Sequence, residues 1–238
     1  MPLENELVSI VIPVHNKKKA QTCADHVKQQ TYRNIELILV DFPGFPAEKR
    51  NYGYGKSHGS LVLFLDEDEY MTPSTISACV NKFREGFDIV GIPQVKFKPD
   101  TYIERCISIQ RENVAKPLFF KREVLERTGL FRPEYVLCDD LDMLIRVQAA
   151  GYRYSMIDPK DGCILHDETN SLTSIFQKTI LSRKPYKKLQ ARYSSKLDSI
   201  TRKHSQRKRI LRELIPRPTL IPGVLLAMSI LFVARRMP

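Results

Sequence analysis

Four consecutive acidic side chains follow an apolar run early in the chain. Residues 61–65 are all apolar, and the residues that come directly after them are Asp66, Glu67, Asp68 and Glu69. Ionised carboxylates beside a buried strand are costly unless they have a partner, and hard oxygen ligands suit Mg²⁺ or Mn²⁺. An Asp-x-Asp pair at a strand end is therefore a candidate site for a divalent cation that binds a diphosphate. The alternative is a solvated turn before a helix that Thr72-Pro73 is expected to start.

The composition fits one globular domain with a basic appendage. The chain has 238 residues, a hydrophobic fraction of 42% and a formal net charge of +11. Residues 178–217 carry 14 Lys and Arg against two acids, a net +12, residues 218–238 add +2, and residues 1–177 are left at −3. A nucleic-acid-binding protein more often spreads basic residues over its folded surface. A basic segment beside an apolar one indicates a membrane surface with anionic lipids, so we expect no nucleic acid as a partner.

The cysteines and the N-terminus indicate a reducing compartment. The five cysteines are widely spaced and form no C-x-x-C motif. An odd number without such a motif argues against a disulfide framework and against a zinc site. The N-terminal residues show no basic start followed by an apolar run, so no signal peptide is expected.

Strands and helices are predicted to alternate over residues 7–92. Apolar runs rich in β-formers predict buried strands at residues 7–14, 35–40, 60–65 and 87–92. Segments with helical periodicity lie between them. This alternation predicts an α/β fold with a mostly parallel, doubly wound sheet. Ligands of such sheets bind at the carboxyl ends of the strands, where Asp41 and the acids at 66–69 are expected.

The next part of the chain is less regular. Residues 93–117 have weak periodicity and predict an irregular crossing of the sheet edge. A charged helix is predicted before Gly129, and a second helix opens at Asp139-Asp140 and ends before Gly151. Acids in the first turn favour the helix dipole, which is the structural alternative to a chemical role for this pair.

The C-terminal part has a different character. Five large side chains recur at helical spacing with basic residues between them: Tyr186, Leu189, Tyr193, Leu197 and Ile200. This pattern is typical of a basic amphipathic helix in a membrane interface, and the alternative is a basic helix docked on the domain. A second basic helix is predicted at residues 205–215.

An apolar segment follows the two basic helices. Residues 219–234 carry no charge over 16 positions, which is short of the about 20 residues that a membrane span needs. We expect this segment to be membrane-associated. The basic residues before it predict that the main domain lies on the cytoplasmic face.

Seven segments, taken in order, resemble the family 2 glycosyltransferases, which have the GT-A fold. They are Val8 to Asn16; Gln30-Thr31-Tyr32 with Glu36 to Asp41; Arg50 to Gly53 with Gly59; Phe64 to Asp68; Phe120 to Val124 with Gly129 and Phe131; Asp139 to Asp142 with Arg146 and Gly151; and His166. The resemblance covers residues 7–170. It implies a Rossmann-like GT-A catalytic domain over residues 1–172, followed by basic amphipathic interface helices over 173–217 and the apolar membrane-associated segment over 218–238.

The chain departs from the family pattern at two points. Asp41 is followed by Phe42-Pro43-Gly44, where the family usually has a second Asp and then Gly and Ser, so the nucleobase stays open. The chain has no Trp and therefore lacks the Q-x-x-R-W motif of processive synthases. Processive polymer synthesis is not expected.

The resemblance implies inverting sugar transfer from a nucleoside diphosphate sugar. Asp140, with Asp139 beside it, would take the proton of an acceptor hydroxyl. Asp68 would bind Mn²⁺ or Mg²⁺, with His166 as a further metal or diphosphate ligand, although a lone His is as often structural. The residues assigned to the nucleotide sugar are Pro13, Val14, Asn16, Asp41, Arg50, Asn51, Asp66, Glu67 and Arg183.

The acceptor is predicted from the membrane-facing tail and the acidic pair. Together they favour a hydroxyl of a lipid-linked (polyprenyl or dolichyl pyrophosphate) saccharide, as in lipid-linked oligosaccharide assembly for protein glycosylation. By analogy with small membrane-bound mannosyltransferases, GDP-mannose is the favoured donor and a UDP-sugar the second choice.

Three alternatives stay open. Within the class, the chain could be a polyprenyl-phosphate hexose synthase that resembles dolichol-phosphate mannose synthase. A nucleotidyltransferase would be expected to have a Gly-rich loop with a Lys near the N-terminus. Lys17-Lys18-Lys19 matches that motif poorly. A non-catalytic basic adaptor would bind anionic vesicles or DNA with steep salt dependence and ignore nucleotide sugars.

Overall fold

A computed structural model gives the structure of the protein. It describes residues 5–99, 101–111, 115–168, 171–203 and 206–236. The strands are β1 (Val8–Pro13), β2 (Ile35–Val40), β3 (Leu61–Phe64), β4 (Glu69–Met71), β5 (Ile89–Lys96), β6 (Ala115–Lys121), β7 (Tyr154–Met156) and β8 (Ile164–His166). The helices are α1 (Lys17–Lys28), α2 (Pro46–Lys56), α3 (Thr75–Arg84), α4 (Tyr102–Arg111), α5 (Arg122–Thr128), α6 (Asp139–Ala149), α7 (Leu172–Lys203), α8 (Gln206–Leu214) and α9 (Ile221–Arg236), with 3₁₀ turns at Pro133–Tyr135 and Pro218–Leu220.

In the described ranges, eight strands form one mixed sheet in the order β2-β1-β3-β6-β5-β8-β4, with β7 beside β5. β1 runs parallel to β2 and β3, but β6 is antiparallel to both β3 and β5, and β4 is antiparallel to β8. β5 is in turn parallel to β7 and β8, so six of the eight described strands run in one direction and β4 and β6 run opposite to them. The sheet is mixed, and the prediction of a mostly parallel sheet agrees with it. Irregular structure is predicted for residues 93–117, whereas the described part of this range ends β5, forms α4 and begins the antiparallel β6.

Helices cover both faces of the sheet, as the doubly wound prediction requires. One layer of the core joins the sheet to α1 and α3 through side chains that include Ile10, Leu63, Phe119, Cys23, Ile76 and Phe83. The other layer joins it to α2, α5 and α6 through side chains that include Val11, Phe64, Phe120, Val124 and Met143. Neighbouring strand residues such as Phe119 and Phe120 thus point to opposite faces, and both are buried. This explains why the strands are apolar runs rather than alternating patterns.

Strand register places several polar segments at one edge of the sheet. Pro13 of β1 pairs with Val40 of β2, and Val11 pairs with Phe64 of β3. The chain therefore leaves these three strands at the same edge. The antiparallel β4–β8 pair sets His166 opposite Glu69 and so adds the end of β8 to that edge.

The helix after the acidic loop begins later than expected. α3 starts at Thr75, with Ser74 as the residue before its first turn, so Thr72 is not its N-cap. The Thr72 hydroxyl lies 2.9 Å from the Thr75 hydroxyl, and it accepts the backbone N–H of Cys163 at 3.0 Å. Thr72 thus links this turn to the segment that leads into β8.

The basic helix α7 packs on the domain. Leu189 is fully buried against α6, and Tyr193 packs partly beside it, which matches the docked alternative for this part of the stripe. The side chains of Leu197 and Ile200 lie outside the described residues. None of the helices in the described ranges combines the length and the apolarity that a membrane crossing needs. The division of the chain at residues 172 and 217 stays a prediction.

Two glycines of α2 offer a matched test of the packing between α2 and β1. A Cβ at Gly53 would lie 2.3 Å from Val11 Cγ1 and 3.0 Å from Val40 Cγ2, whereas a Cβ at Gly55 would meet nothing within 4 Å. We expect Gly53→Ala to lower the free energy of unfolding by about 1–3 kcal/mol through overpacking. Gly55→Ala should leave it unchanged or raise it by up to about 1 kcal/mol. Urea unfolding measures both, and equal effects would contradict the packing described here.

Candidate active site

A cavity of about 700 Å³ opens at the edge of the sheet where the polar segments meet. The loops after β1 and β3, the start of α6, the end of β8 and parts of α2, α4, α7 and α9 form its walls. The predicted site residues that line it are Pro13, Arg50, Asp66, Glu67, Asp68, Asp139, Asp140 and His166. The fold thus brings together residues that lie up to 153 positions apart in the sequence.

Two of the four consecutive acids hold the acidic loop in place. The Glu67 carboxylate accepts the backbone N–H groups of His15 at 2.6 Å and Asn16 at 2.7 Å. The buried Glu69 carboxylate accepts the N–H of Asp66 at 3.0 Å and the side-chain amide of Gln94 at 2.5 Å. These bonds tie the loop to the end of β1 and to β5. Both acids therefore have partners inside the protein, so a cation is not needed to compensate them.

Arg50 joins the acidic loop to the start of α6. Its guanidinium is 6% exposed and lies 2.5 Å from Asp66 Oδ1 and 2.6 Å from Asp139 Oδ2. It also stacks 5.3 Å from the ring centroid of Phe131. Burial by itself lowers the pKa of Arg50, but the two carboxylates outweigh burial and raise it above its ordinary value. Arg50 was assigned to the nucleotide, yet its charge is engaged by these two acids.

The acids at the start of α6 point in different directions. Burial raises the pKa of Asp139, and Arg50 opposes that shift. Asp140 is half-buried and lines the cavity, and its Oδ1 accepts the N–H of Leu141 at 2.8 Å. Asp142 is fully buried behind the cavity. Successive residues of a helix differ by about 100° in direction. Asp139, Asp140 and Asp142 therefore lie in three different surroundings although they are close in the sequence.

Asp142 fixes the orientation of α6. Its carboxylate lies 2.8 Å from Arg146 Nε and 3.3 Å from Arg132 Nη1, and it accepts the Tyr193 hydroxyl of α7 at 3.0 Å. Burial, together with the charge of Asp142, raises the pKa of Tyr193. A buried carboxylate with three donors is well compensated, so this cluster holds α6, and with it Asp140, in a set position relative to the cavity.

Asp68 and His166 lie close together on the cavity wall, where each side chain offers a ligand atom to a metal ion. Asp68 Oδ1 lies 3.6 Å from His166 Nε2, and Glu168 Oε2 lies 3.8 Å from His166 Nδ1 on the other side of the ring. A carboxylate on the far nitrogen is the usual arrangement for a metal-binding histidine. Among the described residues, no group of three or more His, Cys, Asp or Glu is placed to hold a metal. The pair fits a hard divalent cation whose remaining ligands come from phosphate oxygens and water.

Five predicted nucleotide-sugar residues do not line the cavity: Val14, Asn16, Asp41, Asn51 and Arg183. The Asn16 side chain caps the first turn of α1. Asp41 is exposed and pairs with Lys17 at 3.2 Å. Asn51 makes two hydrogen bonds to the backbone of Phe131, at 2.8 and 3.0 Å. The contacts of Asn16, Asp41 and Asn51 are within the protein, and the assignment of the five residues to the nucleotide sugar stays a prediction.

His15 and Lys49 are a site feature that the sequence analysis missed. Lys49 is 2% exposed; its ammonium donates to the Val14 carbonyl and lies 3.1 Å from His15 Nδ1. An ammonium group has no acceptor, so His15 Nδ1 accepts and its Nε2 carries the proton. His15 lines the cavity and is therefore set as a hydrogen-bond donor. No sequence signal marks Lys49, because a lysine in a surface helix is normally exposed.

The C-terminal helices also line the cavity. α7 contributes Ile175, Lys178, Thr179 and Ser182, and α9 contributes Leu231. Lys178 forms an ion pair with Glu168. Ile175 of α7, Leu231 of α9, Ile107 of α4 and Leu118 of β6 are apolar, and we call these four residues the apolar side of the cavity. Helices α7 and α9 belong to the segments predicted to follow the catalytic domain, and both line this cavity.

No family model matches the chain. In sequence it is similar to the glycosyltransferase GlyG of Streptococcus pneumoniae, with 26% identity over 109 residues, 34% of this chain and 36% of that protein. It is also similar to the glycosyltransferase AglE of Haloferax volcanii, with 24% identity over 200 residues, 66% of each protein. These matches span about one third and just under two thirds of the length of the two relatives.

In structure the chain is similar to the mannosyltransferase PcManGT from Pyrobaculum calidifontis, solved with GDP-Man and Mn²⁺. The TM-score is 0.57 at 16% identity, and the match covers 100% of this chain and 78% of that one. This likeness concerns the fold, and it agrees with the prediction of a GT-A-like architecture. The similar sequences agree with the prediction of a glycosyltransferase as the class of protein.

Removing the Arg50 cation tests its role in holding the site. Arg50→Met removes the cation that the buried Asp139 and the half-buried Asp66 share, and we expect a loss of about 3–5 kcal/mol in the free energy of unfolding. The pKa of Asp139, already raised, then rises further. A folded state that binds more protons than the unfolded one loses stability as pH rises, so the loss should grow above about pH 4, the ordinary pKa of Asp.

Urea unfolding of Arg50→Met and wild type at several pH values between 4 and 8 measures this loss. The matched control adds Asp66→Asn and Asp139→Asn to Arg50→Met, which removes the two carboxylate charges that Arg50 balances and should recover much of the stability. A loss that is independent of pH, or a control as unstable as the single variant, would contradict the role assigned to Arg50.

Proposed function

We propose that the chain is an inverting, metal-dependent glycosyltransferase. It moves a hexose from a nucleoside diphosphate sugar to a hydroxyl of a lipid-linked saccharide, on the cytoplasmic face of a membrane. The observation that carries the proposal is that Asp68, His166 and Asp140 converge on one cavity of a GT-A-like fold. The similarity in sequence to proteins named glycosyltransferases supports the same class.

The acidic side of the cavity is the proposed donor site. Asp68 and His166 would hold Mn²⁺ or Mg²⁺, which when bound would neutralise the charge developing on the leaving diphosphate. Glu67 keeps the acidic loop against the end of β1, and Glu168 orients the His166 ring. His15 offers a hydrogen-bond donor to an acceptor atom of the nucleotide. A GDP-mannose donor is our preference, supported by the fold shared with a mannosyltransferase that binds GDP-Man.

Asp140 is the proposed general base. The acceptor oxygen attacks the anomeric carbon and forms a new C–O bond, the bond between that carbon and the diphosphate oxygen breaks, and the hydroxyl proton passes to the Asp140 carboxylate. Because Oδ1 of Asp140 accepts the Leu141 N–H, the proton would go to Oδ2. Asp139 contributes indirectly, since its ion pair with Arg50 fixes the start of α6.

The apolar side of the cavity supports a lipid-linked acceptor. Ile107, Ile175 and Leu231 could contact an acyl or prenyl chain while a saccharide hydroxyl reaches Asp140. A second candidate is direct transfer to a polyprenyl phosphate, which Lys178 favours because it places a cation in the cavity. An anionic phosphate acceptor needs no base, so the two candidates differ in their dependence on Asp140.

Nucleotide binding tests the donor site. Thermal unfolding is measured with UDP, GDP, dTDP and CMP, each with and without Mn²⁺. A ligand that binds only the folded state at 100 times its Kd stabilises it by about 2.7 kcal/mol, and we expect such a shift with GDP only when Mn²⁺ is present. Asp68→Asn should lose the shift, whereas Asp25→Asn, which replaces an acid on α1 with a 50% exposed side chain, should keep it. No shift with any nucleotide would contradict the proposal.

Asp140→Asn tests the base. Release of nucleoside diphosphate with a saccharide-linked lipid acceptor should fall by about a hundredfold or more, while nucleotide-dependent stabilisation stays at the wild-type level. The matched control is Glu123→Gln, which replaces an exposed acid in the first turn of α5 and should keep full activity. Near-normal transfer by Asp140→Asn would rule out the base and favour transfer to a phosphate.

A further inference from the structure

Helix α9 has two apolar faces with different surroundings. One face is buried and carries mostly small residues: Gly223, Val224, Ala227 and Ala234. The other face is 40–58% exposed although it carries large apolar side chains: Ile221, Leu225, Leu226, Met228, Phe232 and Val233. We call these six residues the outer face of α9.

The buried face fixes α9 along the domain. A Cβ at Gly223 would lie 2.4 Å from Cys106 Sγ of α4, so only glycine allows this approach. Val224 packs against Cys106 and Ile109 of α4. Ala227 packs with Ile107 of α4 and Ile175 of α7. The helix therefore lies on the domain through small side chains, and its outer face is directed away from the protein.

The end of α8 and the residues after it, which precede α9 in the sequence, also expose both apolar and basic side chains. Leu211 at 64% and Ile215 at 74% are among the most exposed large apolar residues described. Arg212 and Arg217 are exposed beside them in the sequence, within a segment of net charge +12. Exposed apolar surface of this extent usually marks an interaction site. A partner that fits must be apolar inside and negatively charged at its surface.

An anionic bilayer has both properties. Large side chains enter the boundary between headgroups and acyl chains, while Lys and Arg attract anionic headgroups. A second copy of the chain fits less well, because pairing through this face would bring two +12 segments together. We propose that the outer face of α9, with Leu211 and Ile215, binds the surface of an anionic bilayer, with α9 lying parallel to the membrane plane.

This geometry places the apolar side of the cavity next to the lipid. Leu231 of α9 lines the cavity, while Phe232, the next residue, belongs to the outer face. One helix thus separates the bilayer from the site, and a lipid-linked acceptor can keep its chain in the membrane while its saccharide enters the cavity. The proposal that the chain binds a membrane is independent of the proposed sugar transfer. The proposed route of the acceptor into the cavity rests on that proposed function.

Vesicle co-sedimentation of the full chain tests the surface. The vesicles contain phosphatidylcholine mixed with phosphatidylglycerol, or phosphatidylcholine alone. Wild type should bind the anionic vesicles, less at high salt. Leu225→Glu with Phe232→Glu should lower binding by about tenfold or more. The matched control is Leu39→Glu with Met156→Glu, two exposed apolar residues on β2 and β7, which should bind as wild type does.

Two further measurements make the outcome decisive. Thermal unfolding and Mn²⁺-dependent stabilisation by nucleotide should be the same in both double variants, which shows that the site is intact. Equal vesicle binding by the two double variants, or no binding by wild type, would overturn the membrane surface. A wild-type dimer that Leu225→Glu with Phe232→Glu dissociates would assign the face to a second copy. Vesicle binding without nucleotide binding would instead contradict the proposed function alone.

Discussion

The candidate site depends on the buried ion triad of Arg50, Asp66 and Asp139. The three residues come from α2, the loop after β3 and the start of α6, which are otherwise separate parts of the chain. Charge-assisted bonds of this length are strong and directional, and removing the cation would leave two carboxylates that burial penalises. The triad therefore sets the distance between the acidic loop, where a diphosphate is expected, and α6, which carries the proposed base.

Much of the fold was predictable because its signals are local. The apolar runs of β1, β2 and β3, the glycine that ends α5 and the acids that open α6 follow from strand and helix chemistry. The antiparallel β6 was not predictable in the same way. β6 pairs with β3, which ends 51 residues before β6 begins, and with β5, which ends 19 residues before it. A short apolar strand also gives no sequence signal for its direction in the sheet.

The site was predictable as a set of residues but not as a set of roles. Spacing identified Asp66 to Glu69 as chemically unusual, yet nothing in the sequence separates Glu69, which is buried and bonded to Gln94, from Asp68, which lies beside His166. Asn51 and Asp41 match the family pattern, and the structure adds their contacts with Phe131 and Lys17, which spacing does not reveal. Lys178 and Leu231 were missed because α7 and α9 return to the cavity only through tertiary packing.

The return of α9 to the cavity has a consequence for synthesis of the protein. Leu231 leaves the ribosome after every other residue that lines the cavity. The acidic side of the site can form once residues up to 168 have folded, but its apolar wall is completed only when α9 has packed on α4 and α7. Since domains fold as the chain emerges, the nascent protein passes through a stage that has the acidic wall of the cavity without the wall that α9 supplies. Completion of the site is thus tied to arrival of its last helix.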